Sequence, residues 1–426
     1  MLLPLFLAFV VFLVLGMPIF FAMGAASLVG LITQDQLSFM IIPQRMFAIL
    51  DSFSLLAIPF FVLAGQFMEM GGISLRLVHF ASGMVGHLRA GLCHVAVISA
   101  MIFAGVSGSA TADTSAIGSI IIPPMIEAGY RRGFVASLLA SSGAIGPIIP
   151  PSLIMIVYGS MTGVSIAAMF MGGLIPGVII GLGLMTVCYL WKSETGFAKE
   201  ARVPYRERWH RFLDASWALI SPVIILGGIV LGIYTPTEAG VIACVYALIV
   251  GLFIYRELKP REIPTMLIKA ALTSTIVMSI IAAAGIFGWL LASERMPFLV
   301  AQWMNGVTDS TIVKMFLIQM FLLVLGCFIE GLAAAIILIP VLHPLALQMG
   351  LDPVHFAVVV CINVIVGGVT PPVGVLLFVS CSIAKTTLME AAHYVWPFLI
   401  VLISVVFLTA YFPPLVTFLP NLLLSK

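Results

Sequence analysis

Charge is what this sequence lacks: 19 Lys and Arg plus 17 Asp and Glu amount to 8% of its 426 residues. A soluble domain carries about 25%, and so few charges cannot cover a 45.6 kDa globule. With 62% hydrophobic residues and a mean hydropathy of +1.23, the chain is expected to be a polytopic membrane protein. That excludes a soluble enzyme and a nucleic-acid binder. No Asp, Glu, Lys or Arg occurs from Gly133 to Trp191, from Ala239 to Tyr255, from Ala270 to Ser293 or from Pro353 to Ala384. A crossing needs about 20 apolar residues, so the first gap alone can hold two.

Other absences narrow the class further. Cys93, Cys188, Cys244, Cys327, Cys361 and Cys381 form no CxxC pair and sit in apolar segments, which reads as packing. The opening run MLLPLFLAFVVFLVLGMP has neither a basic n-region nor an A-x-A site after its apolar stretch, which argues against a removable signal peptide. No Walker motif, GxSxG, HExxH or Rossmann fingerprint stands in a plausible context, so nothing points to an ATPase, a hydrolase or another enzyme.

What is present is a pattern of apolar segments and breakers that runs twice. Residues 1–190 read as a first repeat: scaffold helices over about 1–70, broken at Gly16-Met17-Pro18, an arm at 71–90, a segment at 91–126 interrupted by VSGSATADTS, and a helix over 134–160 broken by GAIGPIIPPS. A span at about 166–190 closes it. The hydrophilic stretch 191–211 is the expected linker. Residues 212–426 read as a second repeat: scaffold helices over about 212–291, an arm at 293–312, an interrupted segment at 314–342, a helix over 354–384 broken at GGVTPPVG, and a last span at about 391–412. Pro18 and Pro236, Gly65 and Gly285, Pro123 and Pro340, and Pro150-Pro151 and Pro371-Pro372 recur at nearly one offset, as internal repeats require.

Reading 91–126 and 314–342 as re-entrant hairpins leaves five crossings per repeat, so the second repeat must be inverted. That arrangement gathers 15 of the 19 basic residues on one side, leaving Arg45, Arg295, Lys314 and Lys426 on the other. Basic loops stay cytoplasmic, which places both termini outside. The expected fold is therefore all-α, with two inverted-topology repeats, about ten transmembrane helices, two re-entrant hairpins and two discontinuous helices.

Two carboxylates lie deep in apolar sequence, Asp113 in the first hairpin and Glu330 in the second. An ionisable group at such depth is a functional candidate by default, and their offset matches that of Pro123 and Pro340, so the sequence pairs them. Around Asp113 stand Ser107, Gly108, Ser109, Thr111 and Thr114. Hard oxygen donors with one formal charge suit a small monovalent cation, whereas a divalent site would gather more carboxylates. The Pro and Gly residues of the two breaks open the helices mid-membrane, where irregular backbone is tolerated only inside protein or along a site. Freed carbonyls coordinate cations, and half-helix N-termini attract an anion. Asp51, Glu69, Asp214 and Glu238 read as interfacial or capping, and His94 and Asn363 as backbone partners.

At FAGVSGSATADTSAIGSIIIPPM, SSGAIGPIIPPS and GGVTPPVG the sequence resembles the DctM-like large membrane subunit of tripartite ATP-independent periplasmic (TRAP) transporters, over essentially its whole length. The resemblance implies sodium-driven uptake of small organic acids, such as C4-dicarboxylates or sialic acids, by an elevator mechanism in the bacterial inner membrane. It also implies a separate small four-helix membrane subunit and a soluble periplasmic binding protein as partners. Carried onto this sequence, sodium ligands come from Ser107, Ser109 and Asp113 with Gly143, Gly146 and Pro147, and from Glu330 and Gly331 with Gly367, Gly368 and Thr370. Substrate contacts fall to Thr111, Thr114, Pro151, Ser152, Pro371 and Pro372. The rival expectations are a stand-alone sodium- or proton-coupled dicarboxylate carrier and, from another class, a channel.

Overall fold

The computed structural model describes residues 1–33, 38–191 and 203–424, and the described chain is helical throughout. Residues 192–202 of the expected linker, and Lys426, lie outside the described residues. The first part of the chain runs α1 (Leu2–Val14), α2 (Ile19–Ile32), α3 (Ile41–Leu50), α4 (Ala57–Met70), α5 (Ile73–Val85), α6 (Gly91–Ser107), α7 (Ala110–Glu127), α8 (Arg132–Gly143), α9 (Leu153–Thr162) and α10 (Ile166–Leu190). The second part runs α11 (Tyr205–Val230), α12 (Pro236–Ile249), α13 (Ile263–Ser293), α14 (Met296–Val307), α15 (Thr311–Gly326), α16 (Gly331–Gln348), α17 (Pro353–Gly367), α18 (Val375–Ala384), α19 (Leu388–Tyr411) and α20 (Pro414–Leu423).

Seven of the described helices are long and apolar enough to cross a membrane, or eight if α14 and α15, bent by 120° at their junction, count as one span. The other apolar helices are short. At 10–15 residues, the halves α8, α9, α17 and α18 reach only about 15–23 Å, well under a bilayer core of about 30 Å. Each such pair is interrupted where the sequence places its Gly and Pro residues. Two boundaries differ from the sequence reading. Tyr205–Arg211 is already the first turns of α11 rather than linker, and the second interrupted segment extends to Gln348.

Helices that are apolar all round belong in an interior, and that separates two groups. Every residue from Gly133 to Gly159, and from His355 to Val369, is buried. By contrast α1, α11 and α13 expose large apolar side chains, among them Leu3, Val14, Val223 and Ile276, as a lipid-facing surface does. The buried helices interlock across the two halves of the chain: α8 packs on α18 and α19, and α9 on α16. Polar fastenings reinforce this at one end. Arg132 donates to the carbonyl of Ala384 (3.0 Å), Arg131 to the Tyr394 hydroxyl (2.7 Å), and the Ser137 hydroxyl to the carbonyl of Ala391 (2.7 Å). The remaining helices form a second body, in which α13 packs against α2, α3 and α4, and α12 against α4.

The arm α5 is tied to that second body. Arg76 lies over the Tyr255 ring at 3.8 Å and pairs with Asp214 (3.3 Å) and Glu257 (2.6 Å). Asp214 is therefore an ion-pair partner ten residues into α11, not a cap. Glu238 is a cap: with Thr235 it closes a reciprocal capping box at the start of α12.

Candidate functional site

Four interruptions meet at one place. The tip between α6 and α7 is Gly108-Ser109, and the tip between α15 and α16 is Cys327–Glu330. The breaks separate α8 from α9 and α17 from α18. Backbone hydrogen bonds tie each tip to its break: Leu153 donates to the carbonyl of Gly108, and Gly374 to the carbonyl of Cys327, both at 3.3 Å. Gly108 has φ +67° and lies so close to Pro151 that a Cβ would strike the Pro151 carbonyl oxygen. A glycine is required there by conformation and by space. Both breaks carry a cis Pro-Pro bond, Pro150-Pro151 and Pro371-Pro372.

Between the tips lies a small cavity of about 60 Å³. Of the residues singled out from sequence, Ser109, Thr111, Pro147, Glu330, Gly331 and Gly368 line it. Ala110, Leu153, Gly331 and Val375 also line it, and these are the first residues of α7, α9, α16 and α18. Four helix N-termini thus converge on one cavity that no Lys or Arg lines. Each terminus presents unpaired N–H groups and about half a positive charge. Three of the four carry a side-chain cap: Ser109 accepts from Ala112 N–H, Ser152 from Met155 N–H, and Glu330 from Ala333 N–H. The Ser152 hydroxyl also donates to the Pro147 carbonyl at 2.5 Å, bracing the first break.

Asp113 lies one turn beyond the first tip. It is 1% exposed, and neither carboxylate oxygen has a hydrogen-bond partner. Its surroundings are backbone and small side chains. A Cβ on Gly146 would strike Asp113 Oδ2, and one on Gly143 would strike Thr114 Oγ1. The two glycines therefore leave a space that holds the first turn of α7 against the break. Thr114 Oγ1 is spent on the Ala110 carbonyl (2.8 Å), and the Ser107 hydroxyl accepts from Ser109 N–H (3.3 Å).

The second junction is built differently. Gly326 and Gly367 touch backbone to backbone, so a Cβ on Gly326 would stand 2.8 Å from Gly367 Cα. The Thr370 hydroxyl donates to the Val366 carbonyl (3.0 Å). Thr370 and Pro371 are half-buried, Pro372 is exposed, and none of the three lines the cavity. The first break, by contrast, is buried throughout.

The pairing of Asp113 with Glu330 does not hold. Aligned on their caps, Ser109 corresponds to Glu330, an offset of 221 that also relates Pro150 to Pro371. In that register Asp113 corresponds to Ala334, and Pro123 to Pro344 rather than Pro340. Glu330 is a helix cap exposed to the cleft, while Asp113 is a sealed carboxylate inside its helix's first turns. Gly108, named from sequence only as a neighbour of Asp113, and Cys327, not named as a site residue at all, supply the carbonyls that tie the tips. For Gly108 the signal was available in the Ser-Gly-Ser run; Cys327 offered none. Asn363 bonds Gln319, not a ligand-facing group, and His94 Nδ1 has no partner.

The cleft continues into a larger cavity of about 430 Å³ that shares Ser109, Thr111 and Leu153 with it. Gln66 and Glu69 of α4 and Thr273 of α13 line this second space. Gln66 and Glu69 stand in the last turns of α4, which leads into the arm that carries Arg76, and Thr273 stands one turn beyond Lys269.

The comparisons agree with this architecture. A family model described as the tripartite ATP-independent periplasmic transporter, DctM component, matches residues 6–415. The isethionate TRAP transporter permease protein DctMQ of Oleidesulfovibrio alaskensis is 41% identical over 411 residues, covering 96% of this chain and 65% of that protein. The chain therefore spans just under two thirds of that relative's length. The C4-dicarboxylate TRAP transporter large permease protein DctM of Rhodobacter capsulatus is 35% identical, with 96% of each chain covered. Among solved structures, the YdaH transporter of Alcanivorax borkumensis superposes with a TM-score of 0.59 at 13% identity, over 83% of this chain and 84% of that one, a likeness of fold. By sequence over nearly its whole length, and by a fold it shares with a transporter, this chain belongs to the DctM family of TRAP transporter large permease components.

Proposed function

We propose that the chain carries a small organic anion, of the C4-dicarboxylate or sialic-acid type, inward across the bacterial inner membrane at the expense of a sodium gradient. The observation that carries this reading is the meeting of four helix N-termini in a cavity without Lys or Arg. N-termini hold carboxylate without committing a fixed side-chain charge. Release then needs no salt bridge to break. The sealed carboxylate of Asp113 supports sodium as the coupled ion. An isolated buried charge is costly, and a monovalent cation among the Asp113 oxygens and the carbonyls of the Gly143–Pro147 break compensates it. No group of three His, Cys, Asp or Glu suited to a divalent ion occurs among the described residues. A second sodium is held by the carbonyls of the Gly367–Thr370 break, with Glu330 shaping the tip as its cap.

Coupling follows from order. Sodium fixes each tip against its break, and only then do the four N-termini face one point, so the anion gains affinity for the ion-loaded state. The interlocked helices, from about Leu92 to Leu190 and Lys314 to Tyr411, move as an elevator against the body built on α13. A small four-helix membrane subunit packs on that body, and a soluble periplasmic protein delivers the substrate. Both termini face the periplasm.

The test is uptake into liposomes carrying the transporter with its partners, using labelled succinate, isethionate and N-acetylneuraminate. An inward sodium gradient drives accumulation with the wild type and none with Asp113→Ala, at equal amounts of inserted protein. Unchanged sodium dependence in that variant removes the site. Uptake without any binding protein replaces the tripartite reading with a stand-alone carrier.

A further inference from the structure

At the other end of the same helices, a separate cavity of about 450 Å³ lies between the two bodies. One wall is α3 and α13, with Arg45, Ala48 and Trp289. The other wall is α9 and α16, with Thr162 and His343. Arg45 is exposed and has no acidic partner among the described residues; its guanidinium lies 5.0 Å from the centroid of the Trp289 ring. Such stacking holds the plane of the guanidinium while leaving its N–H edge free. A free, oriented guanidinium edge is a carboxylate receptor, because two parallel N–H donors match two carboxylate oxygens.

The same two helices line this cavity and the central cleft. Leu153 and Ile154 of α9 and Gly331 and Leu332 of α16 line the cleft, while Thr162 and His343, farther along each helix, line the outer cavity. The hydrogen bond between the Tyr158 hydroxyl and His343 Nδ1 (3.2 Å) joins α9 to α16 between the two levels. At 1.5 Å per residue, the separation along these helices is about 12–18 Å. A slide of that length along α13 carries the tips from their present level to the level of Arg45.

We propose that Arg45 is a specificity-determining residue of the outward-facing state, binding a carboxylate or sulfonate of the incoming anion when the tips stand beside it. In the inward state the four N-termini hold the anion alone, and the Arg45 contact is left behind on the fixed body. The affinity for substrate is thereby higher on the outer side than on the inner. This inference rests on the elevator reading above.

The experiment separates the two. All six native cysteines are buried, so an Ala48→Cys/Ile154→Cys pair in the reconstituted transporter reports the slide: oxidation cross-links it only when the tips have risen to α3. In the cross-linked protein, phenylglyoxal labelling of Arg45 is read by peptide mass spectrometry. A mixture of succinate, isethionate and N-acetylneuraminate slows that labelling about tenfold, as a charge-assisted contact does, and chloride at equal ionic strength does not. A cross-link without protection overturns the role of Arg45 and leaves the elevator standing. Failure to cross-link overturns the elevator reading and the proposal with it. In uptake, Arg45→Gln raises KM with little change in kcat and Arg45→Lys recovers part of the loss; a fall in kcat alone contradicts an anion contact.

Discussion

A carboxylate shut off from water costs on the order of several kcal/mol unless a counter-charge or hydrogen bonds repay it. Asp113 has neither in its own side-chain surroundings, so the two glycines facing it matter as much as the acid. Gly146→Ala places a methyl group against Asp113 Oδ2 without removing any charge. It is expected to weaken sodium binding at least ~10-fold, about 1.4 kcal/mol, read as loss of the sodium-dependent rise in Tm with choline chloride as reference. Glu330→Gln keeps a cap for α16 and is expected to leave that rise within about twofold, because Glu330 faces the cleft rather than a sealed pocket. Equal losses in the two variants would return Glu330 to the status of a ligand. Asp113 was legible in the sequence because an acid stands out in an apolar run. Its false partner arose because α16 carries two prolines, Pro340 and Pro344, and the offset counted from Pro123 to Pro340 falls four residues short of the one that aligns the caps. Counting from a proline cannot choose between the two, and only the caps restored the register.

At the scale of elements, glycines decide which helices can cross closely. Gly326 of α15 and Gly367 of α17 meet with nothing but backbone between them, as small residues allow inside membranes. Gly326→Ala drives a Cβ to 2.8 Å from Gly367 Cα and 3.1 Å from the Val364 carbonyl oxygen. Neither neighbour is a flexible side-chain end, so the helices must part, at a cost of about 1–3 kcal/mol. Gly227→Ala, in α11, meets nothing within 4 Å and is expected to be neutral or to stabilise by up to about 1 kcal/mol. Thermal unfolding of the purified variants in detergent, with a Tm lowered for Gly326→Ala and held or raised for Gly227→Ala, checks both. Equal Tm values would mean that the α15–α17 crossing relaxes freely. The sequence announced the breaks through Pro and Gly, because those residues cannot continue a helix whatever surrounds them. It did not announce that α8 packs on α18 and α19. Gly133–Gly143 has no charge, and its serines Ser137, Ser141 and Ser142 suit close packing as well as a polar face, so they do not show which way the helix turns.

For the whole molecule, orientation rests on few charges, and each can be tested where it stands. The side holding Arg131, Arg132 and Lys385 also holds Arg76, Asp214 and Glu257, so bases there are partly matched by acids and backbone carbonyls. Acids count little in the positive-inside effect, so these basic residues weigh in it despite their partners. In the proposed orientation the cleft opens toward the cytoplasm and the Arg45 cavity faces the periplasm. Two exposed positions decide it: Met389, 82% exposed beside the Lys385 loop, and Ile312, 66% exposed beside Lys314. In intact cells whose outer membrane has been permeabilised, a membrane-impermeant maleimide is expected to label Ile312→Cys at once. Met389→Cys is expected to react only after the inner membrane is opened. The native thiols are buried, so the unsubstituted protein supplies the background. The reverse pattern would turn the transporter over, put the open cleft on the periplasmic side, and make the present conformation the one that receives substrate rather than the one that releases it.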